Sequence, residues 1–151
     1  MPLLRHLVEK PGVYLDSADI ETYGHLYAYI DDQHRVVVST LSGKEFLHRV
    51  LLPDVVLIDH RNNNPTDNRR ANLRVATKSQ NAANSKVRIT SKSGYKGVSY
   101  RKAARRYVAR VHCEGKEHHL GLYSTAEGAA RAYNAKALEL FGSFAKLNTG
   151  V

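Results

Sequence analysis

The sequence predicts an α+β protein, and three observations carry that expectation. Residues 1–57 read as mostly strand, in β-rich runs separated by turn residues. Residues 55–85 read in the order strand, long loop, strand, helix. Residues 95–148 read as three alternating strands followed by one long helical period.

In the first stretch, "HLYAYI" and "RVVVSTL" flank "DDQH", a turn, and "SGK" turns again into "EFLHRVLL". This predicts a small antiparallel sheet, with Tyr14, Tyr23, Tyr27 and Tyr29 as core or half-buried sheet residues. In the second, "VVLI" is a short buried strand ending at Asp59-His60. A loop built around Pro65 follows, and "NLRV" alternates Leu73 with Val75, so it can pair back. "TKSQ" then fits a capping box, with Thr77 as cap and Gln80 reaching back. Residues 85–94, "SKVRITSKSG", form a polar basic linker. Fully extended, it could span up to ~33–36 Å. Lys86, Arg88 and Lys92 could follow a phosphate backbone along it, or the segment could be a solvated tether. In the last stretch, "YKGVSYR", "RYVARVH" and "EHHLGLY" alternate as strands. Ser124 and Glu127 fit a second capping box, and Gly142 can end the helix. Ala126, Ala130, Tyr133, Ala137 and Phe141 recur at helical spacing and should pack on the sheet.

Composition narrows the function classes. The chain has 151 residues and one cysteine, Cys113, which excludes internal disulfides and any Cys-rich structural zinc site. No apolar run approaches a membrane span, and "MPLLRHLVEK" lacks the apolar core of a secretory signal. A cytoplasmic protein, bacterial or in a phage-infected host cell, is expected. The net charge of +9 is unevenly placed. Residues 1–85 hold ten basic and ten acidic side chains, whereas residues 86–151 hold thirteen and four. A neutral half joined to a strongly basic half suggests a polyanion partner, nucleic acid before membrane.

The stretch "DHRNNNPTDNRRANLRVATKSQN", residues 59–81, places six asparagines behind one Asp-His pair. Asparagine shapes turns and also offers an amide oxygen. The stretch is therefore either a polar loop or a pocket of oxygen ligands. As a pocket, it would pair the carboxylate of Asp59 with the amide oxygen of Asn81, a hard donor set suited to Mg2+ or Mn2+. His60 could deprotonate a water, and Asn72 could bridge the loop and hold the imidazole. Asn62, Asn63, Asn64, Asn68 and Asn84 are expected to serve turn formation. Arg69, Arg70 and Arg74 are open between phosphate contact and a solvated face.

"IDHRNNNPTDNRRANLRVATKSQN" resembles the HNH endonuclease motif, a ββα-metal site, and within it the homing-type proteins of phages and bacteria. The resemblance implies His60 as general base, Asp59 and Asn81 as ligands of one divalent cation, and Asn72 as the central Asn. "LHRVLL" is similar to the segment preceding that motif, which implies His48 and Arg49 near the cleaved phosphate. Residues 94–148 are similar to the Apetala-two DNA-binding domain of plant ethylene-response factors, a three-stranded sheet on one helix. By position the DNA-facing residues would be Ser99, Arg101, Arg106, Arg110, His112 and His119. The plant domain's tryptophans are absent, so DNA binding carries over but no target sequence does.

The expected organisation is a nuclease domain over 1–84, with a β-rich scaffold over 1–46 and the ββα-metal core over 47–84. A basic linker follows over 85–94, then the Apetala-type domain over 95–148. The expected function is metal-dependent hydrolysis of DNA phosphodiester bonds in duplex DNA by a monomer or weak dimer, with nicking or full cleavage left open. The alternative is a DNA-binding regulator with an inactive nuclease core; a third possibility is an RNA-binding module.

Overall fold

A computed structural model describes residues 1–87 and 91–151. It is a mixed α and β structure in which all strand pairs within the three sheets are antiparallel. The chain forms two compact units, Met1–Ala76 and Thr77–Val151.

The first unit opens with two short helices, α1 (Leu4–Leu7) and α2 (Ser17–Tyr23). A three-stranded sheet follows, β1 (Ala28–Ile30), β2 (Val36–Thr40) and β3 (Gly43–Phe46), and then α3 (Leu47–Leu51). The expected sheet is present, but the expectation of mostly strand before residue 57 needs correcting. Asp16 and Gly24 bracket α2, with Asp19 in its first turn, and these start and stop signals outweigh the strand preference of the tyrosines. In α3, Leu47, Val50 and Leu51 follow the helical i, i+3, i+4 spacing and point into the core. Tyr14 and Tyr27 are 45% and 57% exposed rather than core residues, and Tyr23 lies on a helix. The core gathers Leu4, Leu7, Val36, Val38, Leu47 and Leu51 with Leu73. Leu73 belongs to β5 (Leu73–Val75), which pairs with β4 (Ile58–His60). This two-stranded ribbon is thereby fixed to the core by its own apolar residue.

The second unit opens with α4 (Lys78–Asn84). Its capping box is complete: Thr77 Oγ1 accepts from Gln80 N, and Gln80 Oε1 accepts from Thr77 N. The ammonium of Lys96 donates to the carbonyls of Ala82, Ala83 and Ser85 and so closes the C-terminal end of α4. A sheet of β6 (Val98–Arg101), β7 (Arg106–Cys113) and β8 (Lys116–Tyr123) packs against α5 (Ala126–Phe141). Tyr133, Ala137 and Phe141 are buried with Val111 and with Ala83 of α4, while Ala129 and Ala130 are buried with Val98 and Ala109. The expected cap of α5 moves by one residue. Thr125, not Ser124, accepts from Gly128 N, and Gly142 ends the helix at φ +52°. The helix 78–84 was expected to complete the first half of the chain; its partners described here are residues of the second unit.

Candidate active site

The register of β4 and β5 sets Asp59 opposite Arg74 and His60 opposite Leu73. Asp59 Oδ2 accepts from Arg74 Nε at 2.7 Å, with both side chains less than a tenth exposed. Opposed residues of an antiparallel pair lie on one face, so the ion pair follows from the register. His60 projects on the other side of the ribbon, half-buried.

The loop between the strands is held by its own amides. Asn72 Oδ1 accepts from Asn62 N at 3.1 Å, and Asn72 Nδ2 donates to Asn62 Oδ1 at 3.0 Å and to the Asp67 carbonyl at 2.8 Å. Asn62 Nδ2 donates to Asp67 Oδ2, and Asn64 Oδ1 accepts from Thr66 N and Oγ1. Asp67, Asn68 and Asn72 are buried, and among the described residues no buried side-chain nitrogen or oxygen lacks a hydrogen-bond partner. Burying amides on this scale is tolerable only when each is paired.

Two tasks were expected of Asn72, and the structure divides them. Asn72 bridges the loop, whereas the imidazole Nε2 of His60 lies 3.3 Å from Asn68 Oδ1. Asn68 donates through Nδ2 to the Pro65 carbonyl, which leaves its oxygen to serve as the acceptor for an Nε2–H. Sequence spacing carries no signal for Asn68, because its role comes from the loop folding back over the strand end.

The N-terminal segment holds the same loop from outside. Tyr14 N donates to the Thr66 carbonyl, Asn68 N donates to the Tyr14 carbonyl, and Thr66 Oγ1 donates to the Gly12 carbonyl. Arg69 forks onto Asp67 and lies over the Tyr14 ring at 4.9 Å; Arg70 forks onto Asp19. The Arg69 guanidinium holds the Asp67 carboxyl below the usual carboxylate range. Arg69, Arg70 and Arg74, left open in the sequence, are each engaged with an acidic residue of the fold.

His48 of α3 meets His60 edge to face at 5.3 Å between ring centres, and its other side stacks on Phe46. Burial lowers the His60 imidazole below its ordinary value, against opposition from Asn68 and the carboxylates of Asp59 and Asp67. Burial, with His60, Arg49 and Arg35 nearby, pushes His48 down to about 4. Both rings are thus neutral near neutral pH. Arg49 is exposed on α3.

The remaining candidates belong to the second unit. Asn81 is exposed on α4. Arg88 lies outside the described residues. The register pairs Arg101 with Arg106, Ser99 with Val108, Arg110 with His119 and His112 with Glu117. The register shift at Ala109/Arg110 places one extra residue in β8, beside Gly121 at positive φ, while β7 keeps its alternation, so these pairs share the face turned away from α5. Ser99, Arg101, Arg106, Arg110, His112 and His119 are exposed there. Glu117 shares that face, 3.0 Å from His112 and 3.5 Å from Arg110. Sequence alone did not single it out.

Residues 46–83, which hold the two-stranded ribbon and its asparagine loop, match the HNH endonuclease family. The matched segment takes in α3, the β4–β5 ribbon with its loop, and most of α4. The chain is 36% identical over 114 residues to an uncharacterized HNH endonuclease of Acanthamoeba polyphaga mimivirus, a match covering 70% of this chain and 58% of that protein. It is 34% identical over 95 residues to protein 3.8 of Escherichia phage T7, covering 63% of this chain and 78% of that one. No solved structure matches the chain.

Proposed function

We propose that the chain is a metal-dependent DNA endonuclease of the homing type, built on a ββα-metal core and aimed by an Apetala-like sheet. The observation that carries this is the neutral, half-buried His60 imidazole at the end of β4, facing Asn68 of a loop that Asn72 closes. In this mechanism His60 takes the proton of the attacking water, and Asn68 keeps the ring oriented through Nε2. Asn72 acts indirectly, by fixing the loop that carries both. His48, neutral and packed on His60, walls the base from bulk water, and Arg49 attracts the phosphate.

Asp59 and Asn81 would hold one divalent cation, Mg2+ or Mn2+. An acid and an amide supply the oxygen donors such ions take. When bound, the cation stabilises charge on the phosphate and the departing 3′ oxygen. The basic face of the β6–β7–β8 sheet, with Arg101, Arg106, Arg110, His112 and His119, binds duplex DNA. Ser99 lies on the same face. Among the described residues no helix is long and apolar enough to cross a membrane.

A plasmid relaxation assay tests this directly. Wild-type protein with Mg2+ or Mn2+ should convert supercoiled plasmid to nicked or linear product. EDTA should abolish conversion, and His60→Ala should slow it by ~10²-fold or more. Equal activity of wild type and His60→Ala sinks the mechanism.

One observation favours a second reading, a DNA-binding regulator with an inactive nuclease core. Asp59 Oδ2 already accepts from buried Arg74, a partner that competes with a cation. Shifted DNA bands with no cleavage under any divalent ion would favour it.

A further inference from the structure

The first unit carries a second cationic feature outside the catalytic loop. A surface cavity of about 460 Å³ is bordered by Tyr29, Arg35, Lys44, Phe46 and Arg49. Of its two acids, Asp31 is ion-paired with Arg35, Nη2 to Oδ2 at 2.7 Å, and Glu45 is held by Ser42. Asp31 accepts from Arg35 Nε at 2.8 Å and from the amides of Gln33 and Arg35; Glu45 accepts from Ser42 Oγ at 2.7 Å. The grip of Asp31 fixes the Arg35 guanidinium 4.2 Å above the Phe46 ring. Lys44 lies 5.4 Å above the Tyr29 ring. Among the described residues no acid lies within ion-pair distance of Lys44 or Arg49, in a unit whose Arg69, Arg70 and Arg74 are all paired.

The cavity adjoins the catalytic rings. Phe46, which carries Arg35, also stacks on His48 at 5.6 Å and 6°, and His48 meets His60. Lys44, Arg49 and the Asp31-paired guanidinium of Arg35 therefore stand in one concave patch, separated from His60 by two ring contacts. A guanidinium held in a fixed fork, a mobile ammonium and a helix-borne arginine suit the oxygens of a phosphodiester chain.

We infer that this cavity is a backbone-phosphate subsite for the DNA strand being cut, with Arg35 and Lys44 as its specific contacts. This rests on the reading of the chain as a DNA endonuclease. It gives residues 1–46 a share in substrate binding beyond their support of the catalytic loop. The subsite steadies the strand beside the scissile phosphate and carries no base specificity.

The test measures binding without cleavage, in the full chain carrying His60→Ala. Affinity for a short labelled duplex of random sequence is followed by fluorescence anisotropy over a series of KCl concentrations. Lys44→Gln and Arg35→Gln should each lower the slope of log K against log salt by about one. Arg35→Lys, which keeps the charge, should recover most of the slope. A parental slope in Lys44→Gln overturns the subsite, and that variant decides the matter even if Arg35→Gln fails to fold. Plasmid relaxation by the His60 protein is run in parallel. A protein that binds but never cuts defeats the nuclease reading, while the salt slopes still decide whether the cavity holds phosphate.

Discussion

At the residue scale, His48 shows how an ordinary side chain is tuned by where it is packed. Its folded value of about 4 lies below the ordinary 6.5, chiefly through burial. Between those values the unfolded chain binds more protons than the folded one. Stability from this group is therefore complete above pH 6.5 and is lost as pH falls toward 4. With partial exposure discounted, the loss is on the order of 1–2 kcal/mol. His48→Phe keeps a ring against Phe46 but removes the proton site. Urea unfolding above and within this window should show a shallower acid loss in the variant; identical pH dependence would refute the assignment. The asparagines also separate at this scale. Asn72 was legible from its place in the motif, but Asn68 looked like any turn residue. What distinguishes Asn68 is that its buried amide oxygen stands beside His60.

At the scale of elements, local chemistry explains most of what was legible. The Thr77–Gln80 box formed as read, because a cap depends on four consecutive residues. The cap of α5 slipped from Ser124 to Thr125, since adjacent hydroxyls offer equal local signals and the strand end decides between them. The short helices before residue 52 were missed, being too brief for a clear period. Gly97 shows an element junction where no side chain fits. Its φ is +71°, and a Cβ there would meet the Tyr133 ring at 2.1 Å and the Arg110 carbonyl at 2.5 Å. Tyr133 is buried in the α5 core, so its ring is the rigid part of this junction's packing. Gly97→Ala should destabilise the protein by roughly 3 kcal/mol or more. A thermal midpoint within a degree or two of wild type would contradict this packing.

At the scale of the whole molecule, charge and chemistry divide between the two units. Met1–Ala76 holds nine basic and ten acidic residues; Thr77–Val151 holds fourteen and four. In the first unit Arg69, Arg70 and Arg74 are tied to acidic residues of the fold, while the second unit leaves a row of arginines exposed on its sheet. If that row grips DNA phosphates, Arg101→Gln, Arg106→Gln and Arg110→Gln should each weaken duplex binding about equally across sequences. Each should also reduce the salt slope by about one. A KCl titration checks this, and unchanged slopes in all three would remove the sheet from the interface.

The sequence by itself determined the order of strands and helices around residues 55–85 and 95–148, the placement of charge, and the Asp-His, Asn, Asn spacing of the family. These depend on neighbours along the chain, so periodicity, caps and composition reveal them. Only the tertiary structure decided what those residues touch. The Arg70–Asp19 fork joins positions 51 apart, and the Thr66–Gly12 bond joins positions 54 apart. The edge contact of His48 with His60 and the pairing of Asp59 with Arg74 likewise depend on how separate segments are laid side by side. No local window contains both partners of such a contact. A buried amide or guanidinium accepts whichever complementary group the folded path brings within reach.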